Sequence, residues 1–108
     1  MSLYAVVTFD LEGSDWKSYD CVKEALSAIG IKKTIQRKGS TQEVDLPRNM
    51  FVGRFEEEQF EKSGMLRDHL RKEIERVFEA CSVSGPYFVF VGKKWAWRKG
   101  TVTMEDDE

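Results

Sequence analysis

Residues 3–10 read LYAVVTFD. β-Branched and aromatic side chains fit the pleated surface of a strand. Alternation places Leu3, Ala5, Val7 and Phe9 on one face and Tyr4, Val6, Thr8 and Asp10 on the other. The first face is wholly apolar and predicts contact with a core. The second is mixed, which predicts a sheet with one partly open face and an acid, Asp10, at the strand's end.

Working outward, LEGSDWKSYD at 11–20 is a polar connection into a helix over residues 16–29, with Ser14, Asp15 and Ser18 as alternative caps. Val22, Ala25, Leu26 and Ile29 recur at helical spacing and define its buried stripe. Gly30 follows where a left-handed stop is cheap. IKKTIQR at 31–37 reads as a second strand, with Lys33 on its apolar face predicting a sheet edge. Lys38-Gly39-Ser40 is a turn, TQEVDLPRN extends the hairpin until Pro47, and MFVGRFE at 50–56 is a third strand. Leu66, Leu70, Ile74, Val77, Phe78 and Cys81 form a second helical stripe, with Ser63 as its cap and Gly85-Pro86 as its stop. PYFVFVGKKWAW at 86–97 is the last strand.

The order strand, helix, strand, strand, helix, strand closes most simply as one four-stranded antiparallel sheet with both helices on one face. That is an α+β, ferredoxin-like βαββαβ fold, and it leaves the opposite sheet face for a twin subunit, RNA or another ligand.

At 108 residues the chain fits one domain, taken as 1–103, followed by an acidic disordered tail at 104–108. No apolar run approaches the ~18 residues of a membrane span, and no signal peptide opens the sequence. The expectation is a cytoplasmic protein with no membrane partner. Cys21 and Cys81 lie 60 positions apart in helical patterns and read as buried thiols, with a disulfide or a reactive thiol as the lesser alternatives. The formal charge of −2 includes four acids in the tail, so the body carries +2. A patchy, nearly neutral body leaves room for an anionic partner on one face.

Asp10 is the candidate catalytic and metal-holding residue, because a strand-end carboxylate can bind Mg²⁺ or Mn²⁺ given a second acid nearby. Its plain alternative is an exposed acid opening a loop. His69, beside Leu66 and Leu70, reads as a boundary residue rather than a general base. Arg37, Lys38, Arg48 and Arg54 gather around the hairpin and suit phosphate contacts. In GKKWAWRKG at 92–100, alternation puts Trp95 and Trp97 on one side, for packing within the fold or across a dimer, or for stacking on bases. Packing is favoured. MFVGRF at 50–55 matches half of the RNA-recognition signature on the wrong strand and is taken as coincidence.

YAVVTFD at 4–10, the helix ending in Ile29-Gly30, and LPRNMFVG at 46–53 resemble the GhoS family, the endoribonuclease antitoxins of type V toxin–antitoxin systems. More distantly the chain looks like the CRISPR-associated small ferredoxin-fold subunits and the VapD ribonucleases. The resemblance covers the first half of the chain. It implies a ferredoxin-like fold, frequent homodimerisation and, for some members, cleavage of single-stranded RNA, with Asp10 matching the strand-end aspartate of the CRISPR-associated relatives, where a symmetric pair is implicated in metal binding. The expected function is therefore binding or cleavage of single-stranded RNA, and the alternative is a non-catalytic homodimeric interaction module.

Overall fold

The computed structural model describes residues 2–13, 15–36, 39–94 and 96–103. Seven elements follow one another: β1 (Ser2–Phe9), α1 (Trp16–Ala28), β2 (Thr34–Gln36), β3 (Glu43–Asp45), β4 (Met50–Glu56), α2 (Ser63–Ala80) and β5 (Tyr87–Gly92). The fold is α+β with two helices and antiparallel sheets. β1 is the middle of a three-stranded sheet ordered β4-β1-β5, and β2 pairs with β3 in a separate two-stranded hairpin.

The expected single four-stranded sheet is thus realised only in part. The second strand is three residues long and spends its ladder on β3, through Thr34↔Asp45, Ile35↔Val44 and Gln36↔Glu43. The segment just before it meets the larger sheet through one residue pair: the Lys32 amide donates to the Val52 carbonyl at 2.7 Å, and the Val52 amide donates to the Lys32 carbonyl at 2.8 Å. Pro47 does end the hairpin extension, which is β3.

The alternation read in β1 holds. Leu3, Ala5, Val7 and Phe9 are buried and share one core with Val22 and Leu26 of α1 and with Leu66, Leu70, Ile74, Val77 and Phe78 of α2. Both helices therefore cover the same face of the three-stranded sheet. Phe51 of β4 completes this layer, stacked on Phe9 with ring centroids 5.2 Å apart.

Capping is partly as expected. Asp15 is the cap of α1, its Oδ1 accepting from the Ser18 amide at 2.9 Å, and that bond holds its carboxyl below the ordinary range. Ser14 lies outside the described residues. At the other end Gly30 takes φ +93°, its amide donates to the Ser27 carbonyl, and the Ile31 amide donates to the Leu26 carbonyl. This double bond pattern closes a helix through a left-handed residue. α2 begins differently: Ser63 is its first residue rather than its cap, and Lys62 caps it with no side-chain bond. α2 also stops earlier than Gly85-Pro86 implies, at Ala80, with Ser82 at φ +54° in the left-handed position.

One expectation is corrected outright. Cys21 and Cys81 are joined in a disulfide with Cα atoms 5.8 Å apart, rather than standing as buried thiols. Packing α1 beside α2 brings together positions that 60 residues of sequence keep apart. With that bond in place, the cysteines no longer argue for a reducing compartment. Among the described residues no helix is long and apolar enough to cross a membrane. Lys33 does more than mark a sheet edge. Its ammonium donates to the Leu46 and Pro47 carbonyls at 2.7 Å each and lies 5.7 Å from the Phe51 ring, fastening the hairpin to the core. Partial burial lowers its pKa, with the nearby Lys23 charge adding to that.

Candidate nucleic-acid interface

The uncovered sheet face is set by the register. Rows across it read Arg54–Tyr4–Gly92, Val52–Val6–Phe90 and Met50–Thr8–Phe88 from β4 through β1 to β5. Lys32 extends the middle row beyond Val52, and Thr34 lies on the same side by alternation. The last strand ends at Gly92, so the alternation extended through Trp97 does not apply. Residues 96–99 instead leave the sheet edge and turn back toward the first row.

That return forms a cleft of about 1340 Å³ between the open sheet face, the β2–β3 hairpin and the C-terminal segment. Tyr4 and Trp97 contribute its aromatic walls, and Lys32, Arg54, Arg98 and Lys99 its positive charges. Glu43 is the acid on the lining. The volume exceeds the roughly 300–1,000 Å³ of pockets that enclose a small molecule, which suits a groove for an extended polymer. Arg54 is positioned rather than free to sweep. Its Nε donates to the Ser2 hydroxyl at 2.8 Å and lies 3.9 Å from Glu56 Oε1, while the side chain stays largely exposed.

The residues singled out from sequence separate in space. Arg54 and Trp97 share this cleft. Arg48 does not: its guanidinium lies 5.1 Å from the Tyr19 ring and its carbonyl accepts from the Tyr19 hydroxyl. It is turned to the helical side, in the turn that precedes β4, while Arg54 lies toward the other end of that strand. The Tyr19 phenol is pushed up by burial, against the opposing pull of the Arg48 charge. Arg37, Lys38 and Trp95 lie outside the described residues. His69 is exposed on α2, its ring centroid 5.0 Å from that of Phe60, away from the cleft.

Asp10 stands just past the end of β1, about 20 Å from Tyr4. It borders a smaller hollow of about 360 Å³ with Asn49, Met50 and Phe88. Its Oδ1 accepts from the Asn49 side-chain amide at 3.3 Å. Among the described residues no group of three or more His, Cys, Asp or Glu side chains is placed to hold a metal ion. A lone exposed carboxylate does not fit Mg²⁺ or Mn²⁺ without further oxygen ligands, and no step is derived through one.

Tyr4, Lys32, Arg98 and Lys99 were visible in the sequence only as a mixed strand face and as diffuse charge. Their convergence depends on where the chain turns after Gly92, for which local pattern gives no signal. Compared with family models, curated proteins and solved structures, the chain finds no match.

Proposed function

We propose that this protein binds single-stranded RNA in the cleft on the open sheet face. The observation carrying the proposal is the placement of Trp97, Arg98 and Lys99 on the same cleft as Tyr4, Lys32 and Arg54. Phosphates along a strand need cations spaced along a groove, and bases need aromatic faces between them. Among the described residues, four lining cations against one lining acid supply the first, and Tyr4 and Trp97 supply the second. The likeness of residues 4–10 and 46–53 to GhoS-type antitoxins agrees with an RNA ligand and rests on those stretches. In this reading the architecture is a ferredoxin-like variant in which the segment leading into β2 stands in for the fourth strand through the Lys32–Val52 pair, and the β2–β3 hairpin leans out as a cleft wall. The proposal includes no cleavage step, because Asp10 stands well away from the cleft.

Fluorescence anisotropy with a labelled single-stranded RNA, titrated at several salt concentrations, tests it. Four phosphate contacts give a log–log salt slope of about −2.8, roughly a 50-fold loss of affinity between about 50 and 200 mM salt. Arg54→Ala flattens that slope by about 0.7. Trp97→Ala weakens binding at every salt concentration, by about 1–3 kcal/mol, without changing the slope. Absence of binding at low salt, or binding unaffected by both substitutions, refutes the assignment.

A further inference from the structure

The outer edge of β5 carries a self-complementary pairing surface. The direction of its hydrogen bonds follows from the ladder. The Asp10 amide donates to the Pro86 carbonyl at 3.1 Å, and the Glu12 amide donates to the Ser84 carbonyl at 2.8 Å. Bonded and non-bonded pairs alternate along an antiparallel ladder, so Thr8↔Phe88, Val6↔Phe90 and Tyr4↔Gly92 are the bonded pairs of β1 with β5. The far side of the sheet agrees: the same alternation turns Val52 away from β1, and Val52 is the residue bonded to Lys32. The backbone groups of Tyr87, Val89 and Val91 therefore point out of the sheet. Among the described residues no backbone hydrogen bond beyond the β1 ladder reaches them.

We infer that β5 pairs antiparallel with β5 of a second copy of this chain, about a two-fold axis through Val89. Three features favour that occupant. The outward groups recur at Tyr87, Val89 and Val91, so a copy centred on Val89 matches Tyr87 to Val91, Val89 to Val89 and Val91 to Tyr87, and every outward donor meets an acceptor. A two-fold interface requires that kind of self-complementarity. The same register sets Phe88 directly across from Phe90 of the copy, twice, as non-bonded pairs whose side chains approach most closely. These phenylalanines are 62% and 58% exposed in the single chain, and pairing covers them. Finally, β5 reads YFVFVG and holds no charge, whereas sheet edges that remain single are ordinarily blunted by charges, prolines or bulges. The hairpin at the opposite edge carries Glu43 and Asp45.

The interface uses none of the cations or aromatics of the proposed RNA cleft, so it stands whether or not RNA binds. Sedimentation equilibrium of the full chain over a wide concentration series gives a species of twice the 12.5 kDa chain mass. Phe88→Lys/Phe90→Lys sets lysine against lysine at both cross-strand positions and raises the dissociation constant at least ~100-fold. Phe88→Lys/Phe90→Glu sets lysine against glutamate at both, and restores association relative to the double lysine chain. Circular dichroism checks that each variant is folded. Should a variant not fold, amide exchange of the unaltered chain decides: protection of Val89 and Val91 rises with concentration, while that of Phe88 and Phe90 stays constant. A monomer at all concentrations, a dimer indifferent to the double lysine substitution, a lysine–glutamate chain no tighter than the double lysine chain, or exchange at Val89 independent of concentration overturns the inference.

Discussion

Reducing the Cys21–Cys81 disulfide is expected to lower stability by about 4 kcal/mol, the chain-entropy value for a loop of about 60 residues. The loop length is the 60-residue separation of the two cysteines. For a chain of this size the whole unfolding free energy is about 5–15 kcal/mol, so the bond contributes a large share. Its importance is greatest for α1. That helix fully buries only Val22 and Leu26, whereas α2 buries Leu66, Leu70, Ile74, Val77 and Phe78. At roughly 1.5–3 kcal/mol per buried aliphatic side chain, the apolar anchorage of α1 is about equal to the covalent tie.

The measurement is guanidinium unfolding followed by circular dichroism, with and without a phosphine reductant. With a guanidinium slope of about 3 kcal/mol per molar, the midpoint falls by roughly 1.3 M on reduction. Amide exchange locates the loss: α1 loses protection at reductant concentrations that leave α2 and the sheet protected. An unchanged midpoint, or two thiols alkylated in the unreduced native protein, refutes the reasoning, because either means that the helices are held together without the bond.

Three further outcomes follow from the backbone and from titration. Ser82 adopts φ +54°, a left-handed conformation costly for any residue with a Cβ, so Ser82→Gly raises the urea midpoint by an equivalent of ~0.5–1 kcal/mol; a lower midpoint contradicts the cap geometry. Gly85 sits at φ +144°, where an added Cβ overlaps the Asp10 carbonyl oxygen and comes 3.0 Å from its carbon. Flanking ladder bonds at Pro86 and Ser84 prevent retreat, so Gly85→Ala costs about 3 kcal/mol or more by thermal or chemical unfolding, and a near-neutral result denies that close approach. Burial, and then the 2.7 Å hydrogen bond to Glu75, hold the Tyr87 phenol above its ordinary pKa. Its contribution is therefore fully present below the ordinary tyrosine value of about 10 and is lost as pH rises through the raised folded value. Tyr87→Phe shallows the alkaline fall of the unfolding midpoint, and an unchanged alkaline limb contradicts the assignment.

What the sequence made legible follows the range of the interactions concerned. Leu3, Ala5, Val7 and Phe9 face the core because alternation is a property of a few consecutive residues, and the α2 stripe is equally local. Gly30 closes α1 for the same reason. Pairing is a different kind of information. Ile31 is buried, yet nothing in IKKTIQR states that Lys32 pairs with β4 while Thr34–Gln36 pair with β3. The Cys21–Cys81 bond is hidden from the sequence for the same cause, since helix–helix adjacency carries no local signature. Arg48 and Arg54 look like one basic set in sequence, but Arg48 sits in the turn before β4 against Tyr19, while Arg54 lies near the other end of the strand on the opposite face. The cleft was the least legible part: it is made of Tyr4 near one end of the chain, Lys32 and Arg54 in its middle, and Trp97 beyond the last strand.

The arrangement divides labour in a way that bears on function. A three-stranded sheet covered on one face has two liabilities, an open face and a free edge. The charged and aromatic groups lie at one end of the open face, at the row through Arg54 and Tyr4, and the uncharged phenylalanines lie along the free edge at Phe88 and Phe90. A polyanion is drawn to the first and has little to gain at the second. An apolar partner gains area at the edge and meets charged side chains in the cleft. Because the two surfaces differ in chemistry, they also differ in salt response: RNA affinity falls steeply as salt rises, while pairing of β5 with its copy, driven by apolar burial and backbone bonds, hardly changes. Measuring both equilibria across one salt series separates them, and parallel loss of both would mean that the cleft and the edge form a single site.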